Sequence, residues 1–351
     1  MNLNPIINNF QRPIRKVQIC CILIFSCAAC SLNIPYENQY SDPDAITTVT
    51  AARELLASAY DAIPKPEFSL SVLSDDFQPT FLINLNADLN NLYKWHPKPM
   101  EDLSNSLWEK YYSAIAIANT VLERIHYVSP ISDSDKQELQ CIVSEAKTLK
   151  AYCYFNLLRL FAPTYPEGPE KDGIILKERF ELAFLKRSSI SECVNAIRQL
   201  LTEAVTVDNR PSQVYWFSRQ SAYYLLAALE LYAENYDKAE EYALKILSST
   251  NAYNVLAPVH YKKLWEQEPC EECIFSLHTT NSYYTDMNYE RKKGDYFTIN
   301  STLTQLYTAN DIRYEATVYP QEMPGESIGE TLPVLYLGKY NKQNWNYKPI
   351  Q

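Results

Sequence analysis

Glycine is scarce in this sequence, at 6 of 351 residues. That shortage disfavours Gly-rich loops that cradle phosphates and the tight turns of a hairpin-built chain. Histidine is limited to His96, His126, His260 and His278, and none falls in HExxH or another zinc-ligand spacing. GxGxxG does not occur, so the signature of a dinucleotide site is missing. Net positive charge is missing as well. The formal charge is −10, and removal of residues 1–29, with Arg12, Arg15 and Lys16 and no acid, makes it more negative by three. That balance argues against nucleic acid and against a polybasic membrane contact. These absences lead us to expect no catalytic residues, no cofactor and no metal.

A membrane-spanning apolar run is also lacking. The longest candidate, Val17 to Ala29, falls short of the roughly 20 residues a span needs. It follows the basic cluster of Arg12, Arg15 and Lys16 and ends Cys27-Ala28-Ala29-Cys30. A basic flank, a short apolar stretch and small residues before a cut mark a secretory signal. The cysteine after that cut identifies Cys30 as the expected lipidation site. An ordinary cleaved signal with a chance cysteine, or cleavage before Cys27, are the alternatives. With the signal removed, Cys141, Cys153, Cys193, Cys270 and Cys273 remain. That odd, scattered set does not make a disulfide scaffold. The first three sit in helical patterns and are expected to pack as small apolar groups. Cys270-Glu271-Glu272-Cys273 is a lone CxxC, read as a loop disulfide or free thiols.

What is present is a globular composition, 46% apolar and 21% charged, with 28 tyrosines. We divide it into a signal peptide (1–29), a polar tether (30–46), a helical core (47–250) and a loop-rich region (251–351). A helix is expected over 47–63, with Leu55, Leu56, Ala59, Tyr60 and Ile63 on one stripe. Residues 64–106 show no sustained period and read as irregular. Helical periodicity returns at Leu107–Tyr127. A longer helix is expected from an Asp133 N-cap to Phe161, before Pro163 and Pro166. Another runs from Ser188 to Val205, capped by Ser188 or Ser189. Residues 219–249 fit the helix–turn–helix spacing of a tetratricopeptide repeat, through Leu226, Ala227, Tyr236, Ala239, Ala243 and Ile246, with Asn235–Asp237 as the turn. Glu230 stands where an aromatic is usual, and a generic helical hairpin is the alternative. Either way the fold class is mainly α, a tetratricopeptide-like superhelical core carrying a loop-rich, partly β region. A short strand is expected at Ile274–Leu277 and a short helix near Tyr261–Glu266.

Chemistry concentrates in loops that mix aromatics with amides. Tyr93, Trp95 and His96 lie near Asn86, Asn90 and Asn91. Tyr283, Tyr284, Tyr289, Tyr296 and Phe297 form a second group. Tyr340, Trp345 and Tyr347 lie near Asn341, Asn344 and Asn346. Flat rings offer apolar platforms and amides supply paired donors and acceptors. A sugar, with an apolar face and a rim of hydroxyls, needs both. The expected ligand contacts are Asp75, Asp76, Asn90, Tyr93, Trp95, Tyr283, Tyr284, Tyr296 and Trp345. Aromatics filling satellite cores under long loops are the competing reading.

Several segments along the chain form an ordered series. Leu32-Asn33-Ile34 precedes Pro35, and Leu73-Ser74-Asp75-Asp76 reads as a Ser-Asp turn. Trp108, Tyr111, Tyr112, Ile115, Ala118, Asn119 and Ile125 mark one long helix. Glu145-Ala146-Lys147, Lys150-Ala151-Tyr152, Tyr154-Phe155 and Leu157 mark a second. Tyr253 to Leu256, Leu264-Trp265 and Glu272 to Ser276 complete the series. Together, in this order, these segments resemble the SusD/RagB family of nutrient-uptake outer-membrane lipoproteins. The resemblance implies tetratricopeptide-like helices under a ligand face, and oligosaccharides as ligands. It implies a TonB-dependent transporter of the outer membrane as partner, with the lipid-anchored protein as its hinged lid at the cell surface. The family pattern continues past Lys339-Tyr340 into further repeat helices. Without them, apolar surface at the end of the stack is expected to be uncovered. Two other functions compete: a protein–protein scaffold using the repeats, and a surface hydrolase.

Overall fold

The apolar stripe at the start of the core folds as expected. The computed structural model describes residues 46–179, 184–249, 261, 273–278, 296–308, 310–324, 327, 330–337 and 346–350. Helix α1 (Val49–Asp61) buries Ala52, Leu56, Ala59 and Tyr60, and the Thr48 hydroxyl accepts from the Ala51 N–H at 3.1 Å. After it come α2 (Glu67–Leu73), strand β1 (Phe77–Pro79), a 3-10 turn (Phe81–Leu85) and α3 (Ala87–Tyr93). Two long helices follow, α4 (Pro97–Arg124) and α5 (Asp133–Phe161). The stack continues with α6 (Ile190–Ala204), α7 (Arg219–Tyr232) and α8 (Tyr236–Leu247). Each of α4 to α8 packs on the next, and α1 lies against α4 and α5. This is the expected mainly α, tetratricopeptide-like core.

The irregular reading of 64–106 is corrected: α2, α3 and the first ten residues of α4 all fall inside it. Two-turn helices are too short to display a full apolar period. Pro97 and Pro99 open α4 rather than break it, since a proline in the first turn removes only an N–H that has no partner there. Cap assignments also shift. Ser132, not Asp133, caps α5, its hydroxyl accepting from the Asp135 N–H at 3.1 Å. Ser189 caps α6 in a reciprocal box with Glu192. Helix α8 already begins at Tyr236, so the turn is Ala233–Asn235, with Glu234 at φ 61°.

Glu230, the departure from the repeat pattern, is 2% exposed. Its carboxylate accepts from Arg198 of α6, at 3.0 Å from Nη2, and from Asn235 Nδ2 at 2.8 Å. Burial works to raise its pKa, but the hydrogen bonds from Arg198 and Asn235 prevail and hold it below the usual carboxylate value. An ion pair therefore joins two helices and a turn where an aromatic would only fill space. The segment after α5 is fastened differently. The Tyr112 hydroxyl donates to Ile175 O at 2.8 Å and accepts from Ile175 N at 3.0 Å. Tyr154 does the same to Lys177, at 2.6 and 2.7 Å, and Asn119 Nδ2 donates to Lys177 O. Arg187 lies over the Trp108 ring and donates to Phe161 O and Gly173 O. Cys153 and Cys193 are buried and Cys141 partly so, all three as free thiols.

The described strands form three antiparallel pairs. β1 pairs with β3 (Phe297–Ile299), β2 (Phe275–His278) with β6 (Asn346–Ile350), and β4 (Val318–Pro324) with β5 (Thr331–Leu337). The expected strand at Ile274–Leu277 is thus β2, one residue later. Short helices α9 (Ser301–Gln305) and α10 (Ile312–Thr317) lie between β3 and β4. Phe275 of β2 stacks on Phe217 at 4.0 Å, which ties this strand to the helical core. A second, smaller core gathers Val72, Phe77, Ile83, Phe297, Ile299 and Val318. Apart from Tyr261, the short helix expected near Tyr261–Glu266 lies outside the described residues. On the last described helix pair Leu231, Tyr236, Leu244 and Leu247 are exposed.

Candidate ligand-binding site

The smaller core is assembled from two stretches some two hundred residues apart in sequence, and four of the expected contact residues, Asp75, Asp76, Tyr93 and Tyr296, are on it or beside it. The ladder from Phe77↔Ile299 to Pro79↔Phe297 joins them. Asp76 O accepts from Asn300 N at 2.9 Å at one end, and Tyr296 O accepts from Thr80 N at 2.9 Å at the other. Tyr93 and Tyr296 both pack on this core, Tyr93 with its ring 5.8 Å from that of Phe297. For these two rings the satellite-core alternative describes the packing. Asp76 N donates to Ser74 Oγ, and Asp75 is exposed beside it.

Trp95 is held differently. Helix α3 is capped at its start by Asn86, whose Oδ1 accepts from Leu89 N at 3.1 Å. At its end Trp95 N donates to Leu92 O and His96 N to Asn91 O, both at 2.9 Å. That pattern closes a helix with one residue in the left-handed region, a place usually taken by glycine. Here it is Trp95, at φ 57°. A positive φ on a large L-residue costs about 1–2 kcal/mol. The next residue, His96, is already the N-cap of α4. The indole gains little from burial in return, because Trp95 is 60% exposed. Asn90, one turn before it, donates from Nδ2 to Asn84 Oδ1 at 3.4 Å. The result is an aromatic platform raised from a pinned three-residue break, with amide and carboxylate groups on adjoining elements.

Tyr283, Tyr284 and Trp345 lie outside the described residues, as do Cys30 and Cys270. Cys273 is buried. Among the described residues no group of His, Cys, Asp and Glu side chains is arranged to hold a metal ion, and no helix is long and apolar enough to cross a membrane. One feature escaped the sequence reading: a polar cleft beside Trp216, between α5 and the link from α6 to α7. Its signal was present as the triplet Tyr215-Trp216-Phe217 after Pro211-Ser212.

Comparison with known proteins agrees with this architecture. Residues 35–231 match a family model, SusD-like, described as starch-binding and associating with the outer membrane. A SusD-like protein, P38, of Formosa agariphila is 25% identical over 232 residues, covering 64% of this chain. The chain spans 42% of the length of that curated relative. A SusD superfamily crystal structure from Bacteroides thetaiotaomicron superposes with a TM-score of 0.71 at 17% identity, over 87% of this chain and 73% of that one. A laminarin-binding SusD-like protein superposes with a TM-score of 0.64 at 19% identity, over 86% and 77%.

Proposed function

The chain belongs to the SusD-like family of outer-membrane-associated, starch-binding proteins, and on that premise we propose that it binds a glycan at the cell surface without cleaving it. The observation that carries this reading is Trp95. A strained backbone around an exposed aromatic stabilises nothing in the free protein, and such strain gathers at functional sites. The platform offers one sugar face an apolar ring, and Asn90, Asp75 and Asp76 are proposed to supply the hydrogen-bonding groups around it. Tyr296 and Tyr93 stiffen the support. Tyr283, Tyr284 and Trp345 are proposed to contribute further rings.

The signal at 1–29 supports attachment through lipidated Cys30. The family supports delivery of the bound glycan to a TonB-dependent transporter, with the protein as its lid. Native affinity electrophoresis of the chain tests the binding claim, in gels cast with laminarin, starch or xylan. A band slowed in one gel, with no reducing ends released on incubation with that polysaccharide, supports it. Release of product would make the protein an enzyme. A sharp band slowed in none would favour the protein–protein scaffold.

A further inference from the structure

The cleft beside Trp216 lies on the helical core, and none of the residues of the Trp95 platform lines it. Its volume is about 700 Å³, within the range of small-molecule sites. Its floor is a closed polar network. Glu145, 1% exposed, accepts from Arg53 Nη1 at 2.8 Å, Tyr60 Oη at 3.2 Å and Asn209 Nδ2 at 3.2 Å. Tyr60 Oη in turn accepts from Phe217 N at 2.8 Å, and Asn209 Nδ2 also donates to Phe217 O at 2.9 Å. Helix α1, helix α5 and the 208–218 link are thereby locked together before any ligand arrives, which reduces the ordering cost of binding.

The chemistry of the walls narrows the ligand by elimination. Trp216, Pro211 and Cys141 are the apolar residues among those that line it, too little for a lipid. Arg53 is already shared between two carboxylates: Nε and Nη2 donate to Glu138 and Nη1 to Glu145. Arg210 is paired with Asp208 at 2.9 Å, and Asp208 also meets Arg219 at 3.1 Å. Each carboxylate thus faces a cation already, so a charged ligand of either sign would have to compete with an existing pair. What remains uncommitted is neutral. Ser134, Gln137 and Ser212 are exposed on the walls, and their side chains hold no hydrogen bond among the described residues. The Trp216 ring, with Arg53 over it at 4.9 Å and Tyr60 edge-on at 5.0 Å, is fixed in the wall between them. An aromatic surface among neutral donors and acceptors fits an uncharged, many-hydroxyl ligand.

We propose that this cleft is a second binding site, taking a neutral saccharide independently of the Trp95 platform. Isothermal titration of the whole chain with laminaritriose, maltotriose, cellotriose and, as the charged control, trigalacturonate tests it. Four proteins are compared: unaltered, Trp95→Gly, Gln137→Trp, and the double variant. Gln137 is exposed, so the added indole fills the cleft from its wall without disturbing the core, which an unchanged thermal melt would verify. The expected result is that Trp95→Gly still binds at least one neutral trisaccharide, that the double variant binds it at least tenfold more weakly, and that trigalacturonate does not bind. Equal affinity of Trp95→Gly and the double variant would overturn the proposal, as would loss of all binding in Trp95→Gly or binding of trigalacturonate that Gln137→Trp abolishes. Should Gln137→Trp alone remove binding while Trp95→Gly changes nothing, the cleft stands and the platform reading fails.

Discussion

Glu67, at the start of α2, has a buried carboxylate oxygen, Oε2, with no hydrogen-bond partner. Burial, opposed by its own backbone N–H, Lys65 and Arg159, pushes its pKa from 4.5 up to about 8. A folded-state pKa above the unfolded one means that the native state holds the extra proton between those values, so stability falls as pH rises from about 4.5 to 8. Glu67→Gln should raise Tm more at pH 8 than at pH 5, as read by thermal melts across that window. Lys150 works in the opposite direction. Burial lowers its amine from 10.5 to about 8 against the pull of Glu178 and Glu123, so its charged form costs stability that is recovered as pH climbs from about 8 to 10.5. Lys150→Met, which keeps an unbranched apolar stem, should raise Tm at pH 7 and lose that advantage by pH 10.5. Glu230 is the reverse case, a buried acid fully paired. Glu230→Ala leaves Arg198 and Asn235 without their acceptor and should destabilise by about 3 kcal/mol, measurable by urea unfolding.

At the scale of elements, the long helices were legible because each shows several turns of one apolar face. Boundaries moved by one or two residues where serine competed with aspartate for a cap, or where a turn contained a residue at positive φ. The short helices of 64–106 were not legible, since two turns carry no period and their apolar side chains divide between two cores: Phe68 touches both. The motif residues that carried the family resemblance prove to be fasteners. Tyr112, Asn119 and Tyr154 hold the 175–177 backbone to α4 and α5, Trp108 lies under Arg187, and Glu145 anchors the network below Trp216. Tyr112→Phe and Tyr154→Phe each remove two hydrogen bonds and leave a half-buried backbone N–H without that partner, at about 1–3 kcal/mol. Hydrogen exchange should then speed up at Ile175 and Lys177 while α4 and α5 keep their protection. Unchanged exchange there would mean that the tyrosine hydroxyls do not hold the segment.

At the scale of the whole molecule, the chain joins a locked helical stack to a smaller core that carries the candidate platform. The sequence pattern revealed the stack and named Trp95, yet it did not show that Tyr93 and Tyr296 would share a core, because strand pairing over that separation leaves no local trace. It also missed the cleft beside Trp216, whose polar floor comes from α1, α5 and the link before α7. The account rests most on Trp95 being kept at a conformational cost for the sake of a ligand. Replacing it by glycine separates the two effects, since glycine relieves the positive φ and removes the ring. The decisive measurement is the melting temperature and glycan affinity of Trp95→Gly beside the unaltered chain. The account predicts a Tm higher by about 2 °C together with at least tenfold weaker binding of the polysaccharide that slows the unaltered protein. A lower Tm with undiminished binding would contradict it, and would make Trp95 a structural residue.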